Sequence, residues 1–229
     1  MEEIDPDSLY DDRTQVPWTR PILQGDVFED VSVPALSDEP MFVQIVAHPC
    51  AMRRGHVLQE RITIAPVEPY QQVVGLDKDG WGGHLRVMPL PDLRNDGNHH
   101  ASKFIDVTAA DASQLTFGNR IASLSNRGLL VLHQRLIKHY TRLTVDLPAL
   151  RKEAAPTLEE AEQQQDWIET VLGNEVSVES VLRETRAYQE WLSGGQPPRR
   201  DLLAFDEHHR DVRRLSRDAA RQRAEQLPP

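Results

Sequence analysis

The pattern of apolar and polar positions changes character along the chain. Residues 1–20 show no periodicity and open on the acidic run MEEIDPDSLYDD, which predicts an arm that is poorly ordered unless it docks. From Pro21 onward, short runs with strand character are separated by turn chemistry. Residues 25–33 (GDVFEDVSV) alternate with period two, as a half-buried strand does. MFVQIVA at 41–47 is nearly all apolar and rich in β-formers, which predicts a strand of the core. RITIA at 61–65 is read as stopped by Pro66, and GHLRVMPL (83–90) and KFIDVT (103–108) complete a set of five. Short strands with turns between them predict a small barrel rather than an open α/β sheet.

The period then becomes 3.6. Ser125 is placed as an N-cap, and Leu129, Leu132, Leu136, Ile137, Tyr140 and Leu143 share one side of a helix that would close the barrel. This gives a barrel domain over residues 21–145. Beyond Pro148 the chain reads as helical and acidic. Thr157 and Glu160 have capping-box spacing, Ile168, Val171 and Leu172 continue an apolar stripe, and Gly173 ends that helix. A second helix from about Val176 carries Val181, Leu182, Tyr188 and Trp191 inward, with Glu179 placed to support Arg183. The pair predicts an αα-hairpin over 146–193. SGGQPP (193–198) reads as a linker, and 194–229 as that linker followed by a charged helical tail with few anchors. The expected class is α+β: a small SH3-like barrel of about five strands, a closing helix, the hairpin and the tail.

Composition narrows the setting. No apolar run approaches the roughly 20 residues of a membrane span, and the start lacks a basic segment ahead of an apolar one, so no secretory signal is expected. The single cysteine, Cys50, excludes an internal disulfide framework and fits a reducing, cytoplasmic compartment. Of the net charge of −10, residues 1–17 contribute six acids against one base and residues 146–229 seventeen against twelve, while 18–145 hold thirteen of each. A general polyanion binder needs clustered Lys and Arg. The middle of the chain has room for that only as a local patch.

Gly25-Asp26-Val27 opens the first strand, MFVQIVAHP carries the second, the third runs into Pro66-Val67, and LRVMPLP carries the fourth. Then come Asp111, Ser113 and Leu115, followed by Arg120, Ile121, Leu124 and Ser125 ahead of the closing helix. In this order the pieces resemble the PemK/MazF toxin family from Gly25 to about Tyr140. The resemblance implies the barrel fold and a homodimer. It also implies a metal-independent endoribonuclease that needs no cofactor and is held in check by an antitoxin protein. The chain departs where that family carries its chemistry. Glu39-Pro40 stands in place of an Arg-Pro pair, Val67-Glu68 follows Pro66 where a Thr or Ser is usual, and Thr108 replaces an Arg of the fifth strand. A carboxylate repels a phosphate, so catalysis by the family's own positions is not expected.

The richest polar cluster follows the second strand: His48, Cys50, Arg53, Arg54 and His56. His48 and His56 are candidate general acids or bases, and Arg53 with Arg54 a candidate phosphate clamp; the plainer alternative is a solvated turn. Cys50 is either a thiol activated by the arginines or a small buried strand-end residue. Metal ligation by His48, Cys50, His56, His99 and His100 has the ligand types but no recognised spacing, so no metal is assigned. Trp81, among Gly80, Gly82 and Gly83, can stack on a base or plug one end of the barrel. Three readings follow. The first is a diverged barrel that binds RNA or a protein partner through the 48–56 and Trp81 segments. The second is an active endoribonuclease with His48, Arg53, Arg54 and His56 as relocated catalytic residues. The third is an interaction subunit whose helical extension is the docking element.

Overall fold

The computed structural model describes residues 8–54, 57–70, 86–143, 145–174 and 176–226. His56 and Trp81 lie outside the described residues. The chain divides into two compact units, Met1–Val16 with Ile22–Arg151, and Pro17–Pro21 with Lys152–Pro229. The class is α+β: a curled antiparallel sheet with helices, and a separate helical unit.

The strands are β1 (Tyr10–Arg13), β2 (Val27–Val31), β3 (Met41–Ile45), β4 (Arg53–Arg54), β5 (Val57–Leu58), β6 (Arg61–Pro69), β7 (Val87–Leu90), β8 (His100–Lys103), β9 (Thr108–Asp111) and β10 (Arg120–Leu124). Eight of them form one sheet in the order β1-β10-β2-β3-β6-β8-β7, with β9 paired to β6, while β4 and β5 make a separate hairpin. Two expectations need correcting here. The strand placed at 103–108 is the break between β8 and β9, occupied by a 3-10 turn at Phe104–Asp106. Nor does Pro66 stop the third run. β6 continues to Pro69, with Pro66 opposite Val43 on one side. On the other side the partners change from β9 (through Ile64) to β8 (from Val67). The residue without an N–H thus falls in the gap between two ladders.

Alternation decides which face of β6 is buried: Ile62 and Ile64 are inside, Arg61 and Thr63 outside. They pack with Phe28, Val31, Val43 and Ile45 to form the core. β2 carries a bulge where the register shifts between Phe28 and Val31, and Asp30 takes φ +56 there, a conformation short polar side chains tolerate.

Residues 1–7 of the expected arm lie outside the described residues, but residues 8–13 are not loose. β1 pairs with β10, and Leu9 and Tyr10 are buried. β1 and β7 are the two ends of the strand order, and side chains bridge them. Tyr10 donates its hydroxyl to Pro91 O (3.1 Å), and Arg13 donates to Asp92 O (2.9 Å) and pairs with its carboxylate (3.2 Å). Burial also pushes the Tyr10 phenol far above its ordinary pKa, so it stays a donor.

Gly25 takes φ +91, and a Cβ there would lie 2.8 Å from a Leu124 side-chain carbon. Its neighbour Asp26 is fully buried. It accepts from Leu23 N–H (2.9 Å), pairs with the buried Arg120 (2.9 Å) and accepts a short bond from the Ser123 hydroxyl. This ties the start of β2 to β10. Helix α2 (Asn126–Thr141), following the four-residue α1 (Pro49–Met52), is capped by Ser125 as the sequence predicts, the hydroxyl accepting from Gly128 N–H at 3.0 Å. Leu129 and Leu132 are buried, whereas Tyr140 and Leu143, expected on the inner side, are exposed.

In the helical unit, α3 spans Leu147–Leu172, α4 Val178–Ser193, α5 Arg199–Leu202 and α6 Asp206–Gln226. Pro156 and Thr157 lie inside α3, so Thr157 is no cap. Glu179 does not pair with Arg183, whose partner is Glu184. The segment expected to be a weak tail is a 21-residue helix. Val212 and Ala220 are buried, and its arginines reach acids of the other helices: Arg213 to Glu159 (2.7 Å) and Glu162 (2.7 Å), Arg217 to Asp166 (2.9 Å), and Arg223 to the buried Glu184. The Arg213 bonds hold Glu159 below the usual carboxylate range despite its partial burial. Trp167, Tyr188 and Trp191 pack ring on ring at 5.7–6.0 Å. Among the described residues no helix is long and apolar enough to cross a membrane.

Candidate functional site

The end of β3 leads directly into the polar cluster. Val46 and Ala47 are still buried, and His48 is the first exposed residue. Pro49 occupies the first helical position of α1, where its fixed φ suits the turn and its missing N–H costs nothing. His48 caps this turn through its ring, Nδ1 accepting from Cys50 N–H at 3.2 Å. The chain then enters the β4–β5 hairpin, with Arg53 opposite Leu58 and Arg54 opposite Val57.

Two elements far away in sequence complete the site. His133 of α2 sets its ring beside that of His48 in a tilted arrangement, centroids 6.5 Å apart and planes 31° apart. Its Nε2 is 2.6 Å from Gln24 Oε1, and the same Gln24 amide donates from Nε2 to Val46 O at 2.7 Å. Arg53 donates a short bond to Ile22 O, two residues before Gln24. The strand end, the helix face and the segment before β2 are thereby tied into one cluster.

Of the candidates read from sequence, His48 lies beside the His133 ring and Arg53 donates to the Ile22 carbonyl, with Arg54 and Cys50 exposed on the same segment. The reading of Cys50 as a buried strand-end residue is overturned: it sits on the outer side of a one-turn helix, beyond the end of the strand. His56, a candidate catalytic residue, is outside the described residues. His99 and His100 belong elsewhere: His99 Nδ1 accepts from Asp92 N–H (3.2 Å), and His100 is buried on β8 against Phe42. Among the described residues no three His, Cys, Asp or Glu side chains converge as a metal ligand set. Reading the sequence missed His133 and Gln24. The one local signal for His133 is its place four residues after Leu129, a histidine on the flank of the apolar stripe.

The positions where the family resemblance places catalysis are occupied otherwise. Glu39 is exposed just ahead of β3, Thr108 opens β9 opposite Ile64, and Glu68 on β6 is neutralised by a short ion pair with Lys103. No protein-family model matches the chain, and a search of curated proteins finds no match.

Burial, reinforced by the neighbouring His48, lowers the His133 pKa from 6.5 to about 4. The unfolded chain therefore binds a proton at this residue between pH 6.5 and about 4 that the folded chain refuses, so stability is full above pH 6.5 and falls as pH drops through that window. The loss should be about 2 kcal/mol once partial exposure is allowed for. Urea unfolding at pH 7 and pH 4.5 checks this. The wild type should lose more stability between the two than His133→Phe does, and equal losses would remove the effect.

At neutral pH the cluster thus offers uncharged imidazole nitrogen from His133, polar contacts from His48 and the positive charge of Arg53 and Arg54. Such a set suits a ligand with both phosphate and hydroxyl groups.

Proposed function

We propose that the sheet unit is a diverged SH3-like barrel of the PemK/MazF kind and works by binding single-stranded RNA at the His48–Arg54 face. The observation that carries the reading is the convergence of His48, His133, Arg53 and Gln24 at the end of β3, alongside carboxylates at two of the three positions where such a barrel would hold a phosphate. The kinship is supported by the meeting of its dispersed motif residues: Asp26 of the first strand with Arg120 of the last, and Ser125 at the cap of the following helix. As in relatives of that kind, a homodimer is the proposed assembly.

With two cations at the face, the salt slope for a single strand is about −1.4, so RNA affinity should fall about sevenfold between 50 and 200 mM salt. Fluorescence anisotropy with a labelled single-stranded RNA measures it, and Arg54→Ala should halve the slope. No binding at 50 mM salt, or a slope unchanged in Arg54→Ala, would reject the reading in favour of a protein partner.

One observation favours the endoribonuclease reading: a neutral His133 beside His48 is a workable base next to a second imidazole. Incubating long single-stranded RNA with the protein without added metal separates the two. Intact RNA is the expected result, and discrete fragments that vanish with His48→Ala would make the protein an enzyme.

A further inference from the structure

We propose that Gln24 is a positioning residue that locks His133 into one tautomer, so that His48 and His133 present one hydrogen-bond donor and one acceptor to a hydroxyl group of the ligand. The inference rests on the RNA-binding reading, in which that hydroxyl is the ribose 2′-OH.

The logic starts from groups whose roles are fixed. Val46 C=O can only accept, so the Gln24 atom facing it at 2.7 Å is the amide nitrogen. The other end of the amide is then the oxygen, which can only accept, so His133 Nε2, at 2.6 Å from it, carries the proton. The His133 ring is neutral, so Nδ1 holds a lone pair, and it makes no hydrogen bond among the described residues. Gln24 cannot turn round to reverse this, because flipping the amide would set its oxygen against the Val46 carbonyl. It is 5 % exposed, so water does not relieve that clash.

His48 is fixed from the other side. The Cys50 backbone N–H can only donate, so His48 Nδ1 accepts and the ring proton sits on Nε2. One ring therefore donates and its neighbour accepts. Their centroids are 6.5 Å apart, a spacing one hydroxyl can bridge with two hydrogen bonds of about 2.8 Å each. A hydroxyl is both donor and acceptor, which is what distinguishes ribose from deoxyribose. A phosphate oxygen, which only accepts, would leave the lone pair of His133 unmatched.

Two measurements on the full chain test this. The first is 15N NMR of the histidine rings at pH 7. His133 should show a protonated Nε2 and a bare Nδ1, turning into a tautomer mixture in Gln24→Ala; a proton on Nδ1 in the wild type overturns the proposal, whatever the ligand. The second compares three oligonucleotides of one sequence, as RNA, DNA and 2′-O-methyl RNA. RNA should bind about tenfold tighter than DNA, the effect of one hydroxyl with both bonds satisfied, and the methylated strand should fall to the DNA level. Gln24→Ala should bring the RNA-to-DNA ratio toward one, and a ratio unchanged in that variant overturns the inference. Equal binding of all three by the wild type overturns the inference and leaves nucleic-acid binding standing. Binding of none overturns both.

Discussion

Replacing Arg120 by methionine is expected to remove most of the stability of the sheet unit, about 3–5 kcal/mol. The Arg120 and Asp26 side chains are 0 % and 1 % exposed. Without the guanidinium, the Asp26 carboxylate keeps only Leu23 N–H and the Ser123 hydroxyl, and a charge away from water is left uncompensated. Domains of this size hold 5–15 kcal/mol in all, so the variant should sit near the unfolding threshold at physiological temperature. The double variant Asp26→Leu/Arg120→Met removes both charges and should recover at least half of the loss, short of all of it because Leu23 N–H and Ser123 would lose their acceptor. Hydrogen exchange followed peptide by peptide reads the two units separately. Protection should drop in peptides from β3 and β6 and hold in α4 and α6. A double variant no better than the single one would show that the pair is not what holds β2 to β10.

The second large effect runs against helix propensity. Gly128 stands in the first turn of α2, where alanine would ordinarily gain up to about 1 kcal/mol. A Cβ there would lie 2.2 Å from Leu9 O and 3.2 Å from Leu124 Cβ. The obstruction at Leu9 is backbone, not a side chain that can swing away. Leu9 O is also the acceptor for Ser125 N–H (3.0 Å), so moving it breaks the cap region as well. Overpacking of this kind costs about 1–3 kcal/mol and sometimes more, so the clash wins. Gly128→Ala should destabilise by about 2 kcal/mol or expel β1 from its place beside β10. Thermal melts give the first and proteolysis near Thr14 the second. A variant as stable as the wild type, with β1 still protected, would contradict the close approach.

Both predictions bear on what was legible beforehand. β3 and the start of β6 can be read because each has the burial pattern its sequence displays, an apolar run in β3 and alternation in β6; in β2 the alternation does not hold, because the bulge leaves the neighbours Val27 and Phe28 both buried. β10 cannot be read. All five of its residues are buried, two of them the polar Arg120 and Ser123, and their meaning depends on Asp26, 94 and 97 positions away. Nothing local predicts β1, because Tyr-Asp-Asp-Arg carries no apolar periodicity; its place comes from β10 and from Pro91 and Asp92. The last helix looked weak for a similar reason, since the acids that neutralise its arginines lie on α3 and α4. At the site, His48 and Arg53 stood out because they are close in sequence. Gln24 and His133 are 109 positions apart; nothing local marks Gln24, and only a place on the flank of the apolar stripe marks His133.

The central claim is that the ligand is RNA and that it sits on the His48–Arg54 face. Titrating 15N-labelled protein with a short single-stranded RNA tests both parts at once. The account predicts chemical-shift changes concentrated at Gln24, His48, Cys50, Arg54 and His133, with the RNA recovered intact. A spectrum that does not move, or shifts confined to residues 152–226, would contradict it.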